Sequence, residues 1–241
     1  SSAASDVYKR QTLSNTSNNF GTVAITSGNN VALVDAGAID LGASTVSGTY
    51  AVTATAGGDI TDSGNLAITG ASTFTAATGR SITLNNSNTF AGVSFVGTGG
   101  NLASVTITDS NAFELAALTL SGNLTVTTSG AVTQSGALVV PGTTTIAAGS
   151  SNHITLSNAS NNFGTTVITS GNNVALRDTN AIALGASTVS GTYTVTAGGA
   201  VTDSGTQEIT GVTTISASGQ NVTLDVSTNN FAAAVGITGA N

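Results

Sequence analysis

The segment TLSNTSNNFG, residues 12–21, sets the pattern of this chain, because close copies of it return three more times. Its leucine falls at Leu13, Leu84, Leu156 and Leu224, so successive copies are nearly evenly spaced. The other copies are ITLNNSNTFAG (82–92), ITLSNASNNFG (154–164) and VTLDVSTNNF (222–231). Self-similarity at such a long and regular period is the signature of proteins built from stacked structural repeats. The chain is therefore predicted to be a repeat protein.

Two further motifs keep the same period. The first appears as ITDSG (60–64), VTQSG (132–136) and VTDSG (201–205). The second, V-x-[LI]-x-D-x-x-A-[IF]-x-L, occurs at 31–41, 105–115 and 174–184. Three motifs in one order divide the chain into modules at 12–81, 82–153 and 154–221, with the start of a fourth at 222–241.

Within each module, apolar residues alternate with small or polar ones, as in Ile82-Thr83-Leu84. A period of two places the outer pair on one face of a strand and the middle residue on the other. The triplets are separated by SG, GN, NN and GG, which favour turns. Apolar residues do not persist at helical spacing anywhere. The pattern predicts short strands and turns, and no helices.

Strands this short bury little surface alone, but stacking on neighbouring coils gives them a continuous core. Nine strand-like segments between residues 82 and 153 give roughly 24 residues per three-faced coil. We therefore predict an all-β fold, a single right-handed parallel β-helix (β-solenoid) over residues 12–241. Its modules of about 70 residues would each contain about three coils, and the rod would be on the order of 50 Å long.

A tandem of immunoglobulin-like sandwiches is the alternative architecture. Sandwich domains usually have longer strands and bulkier core residues than this chain offers. The chain has no Trp, and its only proline is Pro141. These features favour the solenoid.

The first eleven residues, SSAASDVYKRQ, share neither the composition nor the pattern of the remainder. They look like the translated remnant of a sequencing adapter, although a natural linker would also fit. Residues 1–11 are therefore predicted to be a foreign head that is not part of the fold.

Composition excludes several classes of protein. The net charge is −7 with only four Lys and Arg residues, which argues against a nucleic-acid partner. No run of residues approaches the 18 or more apolar positions of a membrane span. Cys is absent, which is compatible with an exported solenoid because its core is continuous along the axis.

His153 is the single histidine of the chain, and it precedes a strand. Its counterparts in other modules are Ser81 and Asn221, so the position is predicted to be a solvated turn. A catalytic histidine needs a positioned partner, and the basic residues Arg80 and Arg177 are scattered along the chain. The chain is therefore predicted not to be an enzyme.

Three aspartates, Asp35, Asp109 and Asp178, occupy one position in successive modules. A shared calcium site is disfavoured, because repeats three coils apart would separate the carboxylates by about 14 Å. We predict instead that each carboxylate accepts backbone N–H groups in an Asx-type turn.

Two other groups of residues invite a functional interpretation. Asp59 and Asp62, in GGDITDSG, resemble part of a calcium-binding repeat, but the pair does not recur in the other modules. Tyr50 and Tyr193 align with Leu124 and are predicted to point into the core. The asparagine pairs are predicted to form structural ladders in stacked turns; they lie at 18–19, 29–30, 161–162, 172–173 and 229–230.

The segments 18–54 and 57–76 resemble filamentous-haemagglutinin-type repeat proteins, and the resemblance extends over residues 12–241. Members of that family are very large exoproteins, often exported by two-partner secretion, with a right-handed parallel β-helix shaft. The resemblance implies a secreted or bacterial cell-surface location. The secretion domain that marks that export route is not in this chain.

The sequence thus predicts a shaft segment of a large surface adhesin, without catalytic, metal-binding or cofactor-binding residues. Its partners would be the neighbouring coils of the parent protein, and other regions would contact glycans or proteins of host or environmental surfaces. The alternative is a ligand-binding or ice-binding solenoid, for which the T-x-T pairs Thr106/Thr108 and Thr125/Thr127 are the relevant feature. That array is interrupted at the equivalent positions Ala32 and Asp40. A polysaccharide-active β-helix enzyme ranks third.

Overall fold

The computed structural model describes residues 10–240. Within them the chain forms 26 β-strands and no helix, and every strand pairing is parallel. The predicted all-β, parallel architecture is confirmed. Because residues 10–240 form no helix, they also contain no helix long and apolar enough to cross a membrane.

The strands are mostly short, and the few long ones continue around a corner of the solenoid. Their bounds are β1 Gln11–Leu13, β2 Thr22–Val23, β3 Val31–Asp35, β4 Ile39–Leu41, β5 Ser44–Val46, β6 Tyr50–Ala54, β7 Ile60–Asp62, β8 Leu66–Ala77, β9 Ile82–Thr98, β10 Val105–Asp109, β11 Phe113–Leu115, β12 Leu118–Thr119, β13 Leu124–Thr128, β14 Val132–Gln134, β15 Leu138–Ala147, β16 Ile154–Leu156, β17 Asn162–Gly171, β18 Val174–Asp178, β19 Ile182–Val189, β20 Tyr193–Ala197, β21 Val201–Asp203, β22 Gln207–Ile209, β23 Thr213–Gln220, β24 Val222–Thr223, β25 Asn230–Phe231 and β26 Val235–Ala240.

Strands stack on three faces of the rod, which we number by their registers. Face 1 contains the stack Ile39, Ile60, Ile82, Val105, Leu124 and Thr144. Face 2 contains Phe113, Val132, Ile154, Val174, Tyr193, Thr213 and Val235. Face 3 contains Gln11, Val31, Tyr50, Ser72 and Val93 at one end of the rod. At the other end we assign the stack Ile182, Val201 and Val222 to face 3 by chain order, because its strands directly follow those of face 2.

The length of a coil varies along the rod. Thr166 pairs with Leu184 across a short coil, whereas Ile82 pairs with Val105 across a long one. The long coil contains the loop GTGG at 97–100, where two glycines have positive φ. About 11 coils result, and the predicted β-solenoid is confirmed with coils that are shorter than predicted.

The sequence module is not a whole number of coils. From Ile154, three coils on face 2 lead to Thr213, and the next strand of the chain, at Val222, lies on face 3. From Gln11, three coils on face 3 lead to Ser72, and the next strand of the chain, which begins at Ile82, lies on face 1. Each module therefore contains three coils and one further strand, and equivalent residues move to the next face in every module.

Side chains alternate between core and solvent along each strand, as the period of two predicts. Ile154 and Leu156 are fully buried, and Thr155 between them is exposed. Tyr50 and Tyr193 are likewise buried, which confirms their inward placement. These columns of buried side chains form one continuous core along the rod.

The predicted head overlaps the first strand. Residues 1–9 lie outside the described residues, but Gln11 belongs to β1 and pairs with Val31. Its backbone N–H donates to the Asn30 carbonyl, a bond that needs no particular side chain. The expectation that residue 11 is outside the fold is therefore wrong by this one strand position.

Candidate functional site

The repeated aspartates occupy the most regular polar sites of the molecule, and all three are buried. In each, Oδ1 accepts the N–H two residues later, from Gly37 (2.7 Å), Asn111 (2.8 Å) and Asn180 (2.6 Å). The predicted Asx turn is confirmed.

The second carboxylate oxygen has a partner that the sequence did not reveal. Oδ2 accepts the backbone N–H of a phenylalanine in the preceding coil, with Phe20 paired to Asp35 (2.5 Å), Phe90 to Asp109 (3.2 Å) and Phe163 to Asp178 (2.6 Å). Each phenylalanine ends the N-x-F element of the first repeated motif. The aspartate therefore both closes its own turn and fixes the position of that turn on the coil beneath.

The corner that contains Phe90 is also bonded to the preceding coil, through Asn88. Asn88, fully buried, accepts the N–H of Leu66 (2.8 Å) and donates to Oδ2 of Asp62 (2.8 Å). Asp62 also accepts the N–H of Asn85 (2.9 Å) through Oδ1. Around Asn88, one polar corner thus connects three successive coils.

The third module repeats this corner with a different side chain. Asn161, fully buried, accepts the N–H of Leu138 (2.9 Å), and Gln134 replaces the aspartate beneath it. Gln134 Oε1 accepts from Asn161 Nδ2 (2.9 Å), while Gln134 Nε2 donates to Asn161 Oδ1 (2.8 Å) and to the Gly136 carbonyl (2.6 Å). At the next corner Asp203 again holds an asparagine, Asn229.

Burial acts on the charge of these aspartates. It raises the pKa of Asp109 and of Asp178 above the ordinary value, although the backbone N–H groups that each accepts act in the opposite direction. The bonds from Phe90 to Asp109 and from Phe163 to Asp178 join neighbouring coils. The corners thus act as internal cross-links of the solenoid.

The remaining candidate residues do not converge on a catalytic or metal site. His153 is exposed, as predicted, and its Nδ1 accepts the N–H of Asn173 at 3.4 Å. Asp59 accepts the N–H of Ser81 on the next coil (2.9 Å), so it joins two coils. Across residues 10–240, no three His, Cys, Asp or Glu side chains are grouped so that they could hold a metal ion.

The asparagine pairs are structural, but they do not stack on one another as predicted. Asn30 Oδ1 accepts both the N–H and the hydroxyl of Thr49 on the next coil (3.0 and 3.1 Å). Asn173 makes the same two bonds to Thr192 (2.9 and 3.1 Å). The coil above presents threonine at this point, so the side-chain ladder is Asn to Thr.

The glycine of the second motif is required by close packing between coils. A Cβ added at Gly64, Gly136 or Gly205 would lie 2.3–2.4 Å from the backbone nitrogen of an alanine in the preceding coil. Contacts this short with backbone cannot be relieved by a rotamer change. The recurring SG of this motif is therefore a packing requirement.

Face 1 presents an outward ladder of threonines that the sequence interpretation underestimated. Thr61, Thr83, Thr106, Thr125 and Thr145 pair in register on five successive coils. Thr108 and Thr127 begin a second column beside it. The predicted interruption by Ala32 lies on face 3, whereas Asp40 does bound the ladder, since it pairs with Thr61.

Comparison with known proteins gives one result. A family model described as Repeats of unknown function (DUF5649) matches residues 28–96, 102–170 and 171–238. No curated protein matches the chain, and no solved structure matches it. The three matched segments have the length of the sequence module and together cover most of the solenoid, so the chain belongs to this repeat family.

Proposed function

We propose that this chain is a shaft segment of a large secreted bacterial surface protein of the filamentous-haemagglutinin type. As a shaft it would hold adhesive regions of the parent polypeptide away from the cell. The proposal also includes the absence of catalytic chemistry in this segment.

One observation carries the proposal: the buried polar groups of the modules are used to join coil to coil. Asp178 bonds to Phe163 in one direction, and Gln134 bonds to Asn161 from the other side. A rod whose coils contact only their neighbours can be lengthened by adding modules, which suits a spacer. The resemblance of segments 18–54 and 57–76 to haemagglutinin-type shafts supports the same function.

A module deletion tests the shaft. Removal of 82–153 joins Ser81 to Ile154, and Asp62 would then lie beneath Asn161 as it now lies beneath Asn88. We expect a folded rod that is shorter by three and a third coils, or about 16 Å at the usual strand spacing. Circular dichroism and small-angle X-ray scattering would measure fold and length.

Deletion of 82–117 is the matched control. It removes about half a module, so the remaining strands meet out of phase and apolar side chains are exposed to water. We expect that variant to aggregate. Equal behaviour of the two deletions would contradict the modular shaft, because length would then not be adjustable module by module.

To test the role in display, the solenoid can be placed between an outer-membrane anchor and a reporter domain. The distance of the reporter from the membrane should decrease by the same amount when 82–153 is deleted. Cleavage of a polysaccharide by the purified solenoid would contradict the proposal that it has no chemistry of its own.

Ice binding is the second candidate, and the threonine ladder of face 1 is the observation that favours it. Parallel strands about 4.8 Å apart present Thr106 and Thr125 as a flat array of hydroxyl and methyl groups. Thermal hysteresis at micromolar protein would support this function if it disappears in Thr125→Leu. Absence of hysteresis in the unaltered chain would exclude it and leave the shaft proposal intact.

A further inference from the structure

We propose that face 2 carries a binding site for an acidic oligosaccharide, centred on Arg177. The site is a trough made of two adjoining surface hollows with volumes of about 290 and 210 Å³. This activity goes beyond the shaft, which needs no ligand of its own.

The floor of the larger hollow is a ladder of polar side chains. Arg177, Thr196 and Ser216 pair in register on three successive coils and point outward. Ala159, in the loop of the first repeated motif, and the turn residue Ser218 also line this hollow.

The smaller hollow lies beside the larger one on the same strands. Its floor is Thr155, Ala175 and Thr194, also in register, and the small Ala175 between two threonines makes the depression. His153 stands at its rim. Because Ala175 and Arg177 are alternate residues of β18, the two floors are about 7 Å apart and form one trough.

Charge points to an anionic ligand. Lys and Arg are rare in this chain, whose net charge is −7, yet Arg177 lines the trough, and His153 adds a hydrogen-bonding imidazole to it. The exposed guanidinium of Arg177 offers a planar fork that fits a carboxylate through two parallel hydrogen bonds. The carboxylate of Asp178 also borders the trough, but its two oxygens already accept the N–H groups of Asn180 and Phe163.

The class of the ligand follows from the other polar groups. Hydroxyls both donate and accept hydrogen bonds, which suits the hydroxyls of a sugar. A peptide adding as a strand would need a free sheet edge, whereas β18 is paired on both sides, to β16 and β20. Nucleic acid would need many more basic side chains than this face offers. An oligosaccharide that bears a carboxylate or a sulfate is the ligand class that fits.

Module 1 provides a matched control within the chain. Ala32, Val34, Thr53 and Thr75 occupy on face 3 the positions that Ala175, Arg177, Thr196 and Ser216 occupy on face 2. The hydroxyl ladder is present there, but valine replaces the arginine. Val34→Arg should therefore create a second site.

The test is isothermal titration of the whole chain with tetragalacturonate, with its fully methyl-esterified form as the uncharged control and a sulfated tetrasaccharide as the third probe. We expect binding of at least one charged probe, weakened about tenfold or more in Arg177→Gln and recovered in Arg177→Gln/Val34→Arg. The two charged probes show whether carboxylate or sulfate is preferred.

Arg177→Gln should melt like the unaltered chain, because the arginine side chain is exposed, so lost binding would not be lost folding. Equal binding of the esterified probe, equal affinity of Arg177→Gln, or no binding of either charged probe at millimolar concentration would each overturn the proposal. If Val34→Arg does not restore probe binding to Arg177→Gln, the proposed contribution of the hydroxyl ladder to binding is wrong. None of these outcomes bears on the shaft, which is tested by deletion.

Discussion

Modules 1 and 3 differ from module 2 at inward positions where the three would be expected to agree. Modules 1 and 3 place a buried serine and a buried tyrosine on successive strands, at Ser44 and Tyr50 and at Ser187 and Tyr193, and module 2 has Leu118 and Leu124 there. A second difference lies in the polar corners, where Asp62 and Asp203 of modules 1 and 3 are replaced by Gln134 in module 2. By contrast, the Asx-turn aspartate is present in all three.

The serine–tyrosine pair and the leucine pair fill equivalent parts of the core with different side chains. Ser187 and Tyr193 are both buried, and burial raises the pKa of Tyr193 to about 12, with the hydroxyls of Ser187 and Thr166 acting in the opposite direction. Leu118 and Leu124 replace a small and a large side chain by two of intermediate size. Cores accept such exchanges when total volume is kept.

The polar corners show why one acidic position varies and the other does not. At the variable position, Asp203 also accepts N–H groups at both oxygens. Gln134 keeps such donors on Oε1, and its Nε2 has acceptors close by in the Gly136 carbonyl and Asn161 Oδ1. At the constant position, Asp178 receives N–H donors at both oxygens. An amide there would direct its own N–H toward one of these donors.

The largest effect is expected from placing glutamine at each of these two aspartate positions in module 3 and comparing the losses of stability. Asp178→Gln should lower the free energy of unfolding by about 2–4 kcal/mol, since at least one buried N–H group loses its acceptor and the longer side chain must be accommodated. Asp203→Gln, which copies module 2, should change it by less than about 1 kcal/mol. Urea unfolding followed by circular dichroism would measure both.

Similar losses in Asp178→Gln and Asp203→Gln would show that the two positions are chemically alike. The distinction between a constant and a variable aspartate would then have no basis in hydrogen bonding.

An intermediate effect is expected from building half of the serine–tyrosine pair into module 2. Leu124→Tyr alone overfills the core beside Leu118 and should cost about 1–3 kcal/mol. The double variant Leu118→Ser/Leu124→Tyr should recover a large part of this loss. A double-mutant cycle from thermal or urea unfolding gives the coupling between the two sites, which should be at least about 0.5 kcal/mol.

If the two changes are simply additive, the two pairs are independent substitutions and not alternative packings. Thr125→Ser, on the outward ladder beside Leu124, serves as the control and should have little effect on either background.

The strands could be predicted well from the sequence and the relation between modules poorly, for a physical reason. Alternation along Ile154-Thr155-Leu156 is a local property and needs no partner strand. The step of each module to the next face depends on coil length, which varies with loops such as 97–100. Because strands on all three faces share one pattern, only the pairing of Ile82 with Val105 and of Ile154 with Val174 reveals the rotation.

The polar corners were predictable only in part for the same reason. The Asx turn of Asp35 is made with Gly37, two residues away, and could be inferred from residue type and spacing. Its bond to Phe20 crosses to another coil and depends on register. The recurrence of Asp62, Gln134 and Asp203 at one module position was a signal available in the sequence, but the glutamine concealed it.

The smallest effect is expected in the pH dependence of the free energy of unfolding. It distinguishes Asp109 and Asp178, which titrate, from Gln134, which does not. Burial raises the pKa of Asp109 and Asp178, so the folded chain holds these two protons more tightly than the unfolded chain, whose aspartates titrate near about 3.9. The stabilisation from protonating them is complete below the unfolded pKa and is lost as the pH rises through the folded pKa. The free energy of unfolding should therefore increase as the pH is lowered from neutral toward about 4.5.

Asp109→Asn/Asp178→Asn removes both titrations and should reduce this slope even though the variant is less stable at every pH, whereas Gln134→Leu should leave the slope unchanged. A slope that the double asparagine variant does not alter, in urea unfolding at several pH values, would show that the pH dependence comes from the net charge of −7 and not from these corners.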